Sequence, residues 1–239
     1  MSLLLSLLLL ILPSLPPQAE KAQNYIESHR AQWYVWWRPF EISPEEAEAV
    51  VYPEIVRYTV ITDIVQKTLN YSTYVSMGTR CFDFSVGRFQ MKPSFVEQLE
   101  TAWMDSGLWQ RYGIRFDVRD SWAARQARID RMRDDQWQCI YLAVFLRLFQ
   151  YTYGPGLVSL DARQRLRLAA TAYNRGCPWP GEGKGELDGI RAHADEKNFH
   201  LELGSGKYRL GSLEPAPHWC YADLSCHWYE TIMRNSEKK

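Results

Sequence analysis

Cys139-Ile140-Tyr141-Leu142-Ala143-Val144-Phe145-Leu146-Arg147-Leu148-Phe149 is apolar on nearly every side once wound into a helix. Such a helix belongs at the centre of a bundle, because any face turned to water would expose large apolar side chains. Upstream, Ser121 is a good cap, and the stretch from Arg125 to Asp135 is charged. One long helix is therefore expected from Ser121 to about Tyr153, with Gly154-Pro155-Gly156 stopping it.

The segments around this core are also helical. Ser43-Pro44-Glu45-Glu46 is a start signal: a capping Ser, Pro at the first helical position and Glu at the third. The helix should run to about Tyr58, with Ala47, Val50, Val51, Ile55 and Tyr58 on one face and a kink at Pro53. A second helix is expected from Thr62 to Met77, with Ile64, Val65 and Leu69 inward and Gly78 as its stop. A third follows Pro93, with Phe95, Val96, Leu99, Ala102 and Trp103 in register. Residues 107–120 read as a connection. Leu166, Ala169, Ala170 and Tyr173 form the stripe of a helix from Leu160 to Tyr173, and Tyr221 to Met233 reads as a closing helix. The stretch 178–189 is a Gly- and Pro-rich loop, and 197–217 is poorly periodic. Neither internal repeat nor linker interrupts this pattern, so the fold class is all-α.

The chain has 239 residues, 46% hydrophobic, enough for one sizeable core. Lys+Arg and Asp+Glu both number 28, and a balanced charge argues against a nucleic-acid partner. Trp (10) and Tyr (14) are abundant, either as packing residues or as flat surfaces for sugar rings. The cluster Trp33-Tyr34-Val35-Trp36-Trp37 reads mainly as packing.

The run from Leu3 to Leu12 is too short for a membrane span, which takes about 20 residues, and suits the apolar region of a secretory signal. Ala19 is a plausible last residue before cleavage. The expected organisation is a signal at 1–19, an N-terminal segment at 20–42 and a single domain at 43–239, in an exported protein of the periplasm or cell envelope. The cysteines are Cys81, Cys139, Cys177, Cys220 and Cys226. Cys139 reads as a buried small hydrophobe, and Cys220 and Cys226 as able to pair in an oxidising compartment. Their spacing does not suit zinc, so a metal site is not expected. The five His residues sit in no nucleophile motif, and the Gly-rich stretches 181–185 and 204–206 lack the strand and helix of a phosphate cradle.

Three features carry chemistry. Glu54 falls in the middle of the apolar stripe of its helix, between Val50 and Tyr58 at about 100° per residue. A carboxyl group in an apolar setting has its pKa raised, which suits a general acid; a buried pair with Arg57 is the other reading. In Ser85-Val86-Gly87-Arg88-Phe89-Gln90-Met91, Gly87 permits close backbone approach, Gln90 offers a donor and an acceptor to an acetamido or hydroxyl group, and Ser85 can bond a substrate or the carboxyl group. In Ala172-Tyr173-Asn174-Arg175-Gly176 a helix ends on a glycine suited to a left-handed cap, with Tyr173 facing inward and Asn174 beside it. Each feature alone is also compatible with ordinary packing.

In combination and in this order, these parts resemble the active-site elements of lysozyme-like lytic transglycosylases and goose-type lysozymes, from roughly Glu45 to Gly176. The resemblance implies a lysozyme-like helical domain that acts on the glycan strands of peptidoglycan without a cofactor. It implies Glu54 as the sole catalytic acid/base, and Ser85, Gly87, Gln90, Tyr173 and Asn174 as substrate-binding residues. The chain departs from the family pattern at Ile55, where a Ser is usual. It also has a whole helix between Glu54 and Ser85, and Lys92 where goose-type lysozymes carry an Asp. Asp83 is the candidate to replace that acid. With one well-placed carboxyl group, neither two-carboxylate scheme of glycoside hydrolysis is fully supplied. The expected reaction is lytic transglycosylation, in which the substrate's own 6-hydroxyl closes a 1,6-anhydro ring. Hydrolysis as a muramidase is the close variant. A non-catalytic glycan-binding or structural envelope protein on the same fold is the alternative.

Overall fold

In a computed structural model of the chain, the residues described are 18–58, 65–80, 83–180, 185–200 and 218–237. The apolar run at Leu3–Leu12, the expected helix start at Thr62, Ile64, Cys81, the tip of the 178–189 loop and Gly204-Ser205-Gly206 lie outside them. The fold is all-α. Its helices are α1 (Ala19–Trp37), α2 (Pro44–Tyr58), α3 (Val65–Met77), α4 (Pro93–Ser106), α5 (Trp109–Tyr112), α6 (Trp122–Arg133), α7 (Asp135–Leu157), α8 (Ala162–Arg175), α9 (Asp188–Arg191) and α10 (Tyr221–Ser236). A two-residue antiparallel ladder pairs β1 (Phe199–His200) with β2 (His218–Trp219). No helix of the described residues is long and apolar enough to cross a membrane.

Helix α7 is the buried axis that its sequence requires: Cys139 to Leu146 are all buried. Two expectations about it are corrected. Asp134 adopts an extended conformation and its carboxylate accepts the Trp137 N–H, so it caps a new helix and splits the expected single helix into α6 and α7. At the other end α7 runs through Gly154-Pro155-Gly156 to Leu157, which is buried. A Cβ at Gly156 would stand 2.9 Å from Leu187 Cδ1, so glycine permits a close contact here and the helix continues.

Helix α2 starts as read: Ser43 Oγ accepts the Glu46 N–H at 3.2 Å, and Pro44 opens the helix. It continues through Pro53, and every residue from Ala47 to Val56 is buried. Helix α1 covers one of its sides. Ile26, Trp33 and Trp37 of α1 are buried in the common core, and the Trp37 Nε1–H donates to the Cys139 carbonyl of α7 at 3.0 Å. Arg30 grips the fully buried Glu48 of α2 through two hydrogen bonds of 2.7 and 2.8 Å. Helix α10 covers another side, where Tyr221 donates to the Val50 carbonyl at 2.9 Å and Trp228 stacks on Tyr52.

The thiols of Cys139, Cys177, Cys220 and Cys226 are free and buried. Cys139 is the small core hydrophobe expected. The bridge considered between Cys220 and Cys226 is not formed. Cys220 Sγ donates to the Ala194 carbonyl at 3.3 Å and Cys226 Sγ to that of Arg163 at 3.9 Å, so the two thiols serve different elements.

Candidate active site

A cleft of about 500 Å³ opens between the C-terminal half of α2, the 83–92 turn, the start of α4 and the end of α8. Glu54, Ser85, Gln90, Tyr173 and Asn174 all line it. These residues come from three separate stretches of sequence, and the packing of α2 and α8 on the core brings them together.

Glu54 is 5% exposed, and its Oε2 has no hydrogen-bond partner among the described residues. Arg57 Nη1 stands 3.9 Å from that oxygen, beyond hydrogen-bond reach. Burial pushes the Glu54 carboxyl up from 4.5 to about 7, with the Arg57 and Lys92 cations pulling the other way. The other buried glutamates are held differently. Glu48 has the Arg30 fork, and Glu100 receives Arg128 at 2.7 Å, Arg131 at 2.8 Å and the Tyr141 hydroxyl at 2.5 Å. Those two are satisfied structural carboxylates, whereas Glu54 is buried, incompletely bonded and on a cleft wall.

The 85–91 turn is a tight loop closed by the Val86 N–H donating to the Met91 carbonyl at 2.8 Å. Gly87 has φ +71°, and a Cβ there would fall 2.3 Å from Gln138 Nε2. The close approach that Gly87 permits is therefore to α7; Gly87 does not line the cleft. Gln90, at φ +52°, folds its side chain back so that Nε2 donates to the Gly87 carbonyl at 2.6 Å. Its amide nitrogen is committed to the turn.

The Phe89 peptide is clamped on both sides. Its N–H donates to Gln138 Oε1 at 2.9 Å, and its carbonyl accepts the Tyr173 hydroxyl at 2.8 Å. Tyr173 thus holds the turn, with its ring edge-on to Phe95 and Phe145. Burial beside Glu54 raises the Tyr173 hydroxyl well above its ordinary value, so it stays a protonated donor. Asn174 lies half-buried at the cleft wall. Gly176 ends α8 at φ +85° and ψ 155°, a conformation open to glycine but different from the left-handed cap expected.

Helix α1 braces the same turn from outside. The Arg88 guanidinium carbon lies 4.2 Å from the Tyr25 ring centroid and 5.1 Å from that of Tyr58, and Trp33 meets Phe89 edge-on. The segment 20–42 is thus bound to the site as well as to the core.

Asp83 lines the cleft, but its carboxylate is engaged. Oδ1 accepts the Ser94 N–H at 3.0 Å at the start of α4, and Oδ2 lies 3.7 Å from Lys92 Nζ. An acid tied to a helix start and a lysine is a poor base for activating water. Gln138 is the supporting residue that sequence reading passed over. The available signal was a polar amide at the head of an otherwise apolar helix, which must find a partner when buried. Among the described residues no group of three His, Cys, Asp or Glu side chains is placed to hold a metal ion.

No protein-family model matches the chain, and neither a curated protein nor a solved structure matches it.

Proposed function

We propose that the chain is an exported lytic transglycosylase that cleaves peptidoglycan between N-acetylmuramic acid and N-acetylglucosamine, with Glu54 as its one acid/base. The observation that carries this reading is the Glu54 carboxyl: buried, with an oxygen lacking a hydrogen-bond partner among the described residues, pushed up by burial to about 7, on the wall of a cleft it shares with Ser85, Gln90 and Asn174. A carboxyl group about half protonated at neutral pH can protonate a glycosidic oxygen. In this scheme the N-acetyl group of the substrate stabilises the cationic centre. The Glu54 carboxylate then takes the proton of the 6-hydroxyl as the anhydro ring closes. The engagement of Asp83 by Ser94 and Lys92 favours this route over hydrolysis, which asks for a second carboxylate to activate water.

The test is digestion of purified peptidoglycan by the chain and by its Glu54→Gln form, with products read by mass spectrometry. Anhydro-muropeptides are expected, with the variant slower by about 100-fold or more. Products with reducing ends would replace transglycosylation by hydrolysis. Binding without any product would leave a glycan-binding protein.

A further inference from the structure

A second basin, of about 490 Å³, adjoins the cleft and shares Gln98, Cys177 and Pro178 with it. Both lie along α4, but their chemistry differs. The Glu54 end carries the cations Arg57, Lys92 and Arg175 on its wall. The second basin has two carboxylates, Glu97 and Asp105, and no Lys or Arg among its described lining residues. Its remaining walls are largely apolar, with Leu148, Ala102 and the Trp179 ring. Glu97 is already held by the Tyr74 hydroxyl at 2.8 Å and by Arg128 at 3.1 Å. Asp105 is exposed at the rim and has no ion-pair or hydrogen-bond partner among the described residues.

A neutral sugar has little use for an apolar trough ending in an unpaired carboxylate. An aliphatic chain ending in an ammonium group matches both parts: methylenes against Leu148 and Trp179, and the charge at Asp105. We propose that this basin receives the side chain of a diamino acid in a peptide stem borne by the glycan strand. This rests on the peptidoglycan reading, and it makes the enzyme selective for strands whose stems carry a free side-chain amine.

The experiment titrates the full chain by calorimetry with three probes: a stem peptide ending in a lysine-type amine, the same peptide acetylated on that amine, and 1,5-diaminopentane. The free-amine peptide is expected to bind about fivefold more tightly than the acetylated one, as one partly solvated charge pair supplies. Asp105→Asn, at an exposed position, should bring the two peptides level. Equal affinity for the two peptides, no binding of either, or discrimination that survives Asp105→Asn would overturn the proposal. Diaminopentane binding as tightly as the peptide would overturn the peptide stem as its source. Cleavage of glycan strands stripped of peptide is scored separately. If those strands and native strands both resist the wild-type chain, the glycan reading itself fails, whatever the peptides do.

Discussion

Replacing Glu54 by Gln should stabilise the chain, and only above a definite pH. The Glu54 carboxyl holds its proton up to about 7 when folded, against 4.5 as an ordinary side chain. Between those values the folded chain binds more protons than the unfolded one, so stability falls as pH rises through that window. Below about 4.5 both states are protonated and the group contributes nothing. Above about 7 the folded state carries a buried carboxylate whose cost has fully developed. At about 1.4 kcal/mol per pH unit, that cost reaches about 3 kcal/mol. Gln has nearly the same shape and no charge to bury. The difference in unfolding free energy between Glu54→Gln and wild type should therefore widen in favour of Gln by about 3 kcal/mol between pH 4.5 and pH 8. Urea unfolding of both proteins at the two pH values measures it, and the change common to all other groups cancels in the comparison. If the difference is the same at both pH values, Glu54 is not a high-pKa acid and the catalytic assignment loses its basis. If Gln is the less stable form at pH 8, Arg57 neutralises a permanent carboxylate and the pair is structural.

Three further outcomes follow from the same geometry. Arg57→Gln removes a cation 3.9 Å from Glu54 Oε2. The pH above which glycan cleavage falls away should rise by about one unit, since a third-exposed arginine acts near the weak end of the Coulomb range; a profile that moves down or stays put contradicts the assignment. Gly87→Ala forces a Cβ against Gln138 at positive φ and should cost about 3 kcal/mol in thermal unfolding, part of it recovered by adding Gln138→Ala. Arg128→Met leaves Glu100 with Arg131 as its one cation beside the Tyr141 hydroxyl and strips Glu97 of its cation, so a loss of about 3 kcal/mol in urea unfolding is expected, with little change in the pH profile of cleavage.

Helix α7 could be read from its composition because an all-apolar surface has only one place to go. The Ser43-Pro44 start of α2 could be read because its capping bonds are local. The break at Asp134 was missed although its capping bond to Trp137 is just as local, because no Gly or Pro marks it and the helical pattern on its two sides runs on. The passage of α7 through Pro155 was missed because Gly154-Pro155-Gly156 reads as a stop, whereas Gly156 serves a close approach to Leu187, far along the chain. At the site, the helical wheel put Glu54 on a buried face, and three dispersed segments did converge on one cleft. What sequence could not give was the division of labour within it. Tyr173 and Gly87 read as substrate contacts, yet one donates to the Phe89 carbonyl and the other makes room for Gln138. Those bonds join residues far apart in sequence, and no periodicity encodes them. The Trp33–Trp37 cluster read as packing, but its partner α2 and the Arg30–Glu48 pair between the two helices were hidden, since both depend on contacts across the fold.

The order in which the chain emerges also has a consequence. Glu54 is synthesised before the elements that confine its helix. Gln138 of α7 steadies the facing turn, and Tyr221 of α10 reaches back to Val50. A nascent chain that stops short of α10 has the acid without the enclosure that raises its pKa. The high-pKa state of Glu54 is thus a property of the assembled fold, reached only once α7 and α10 have docked around α2.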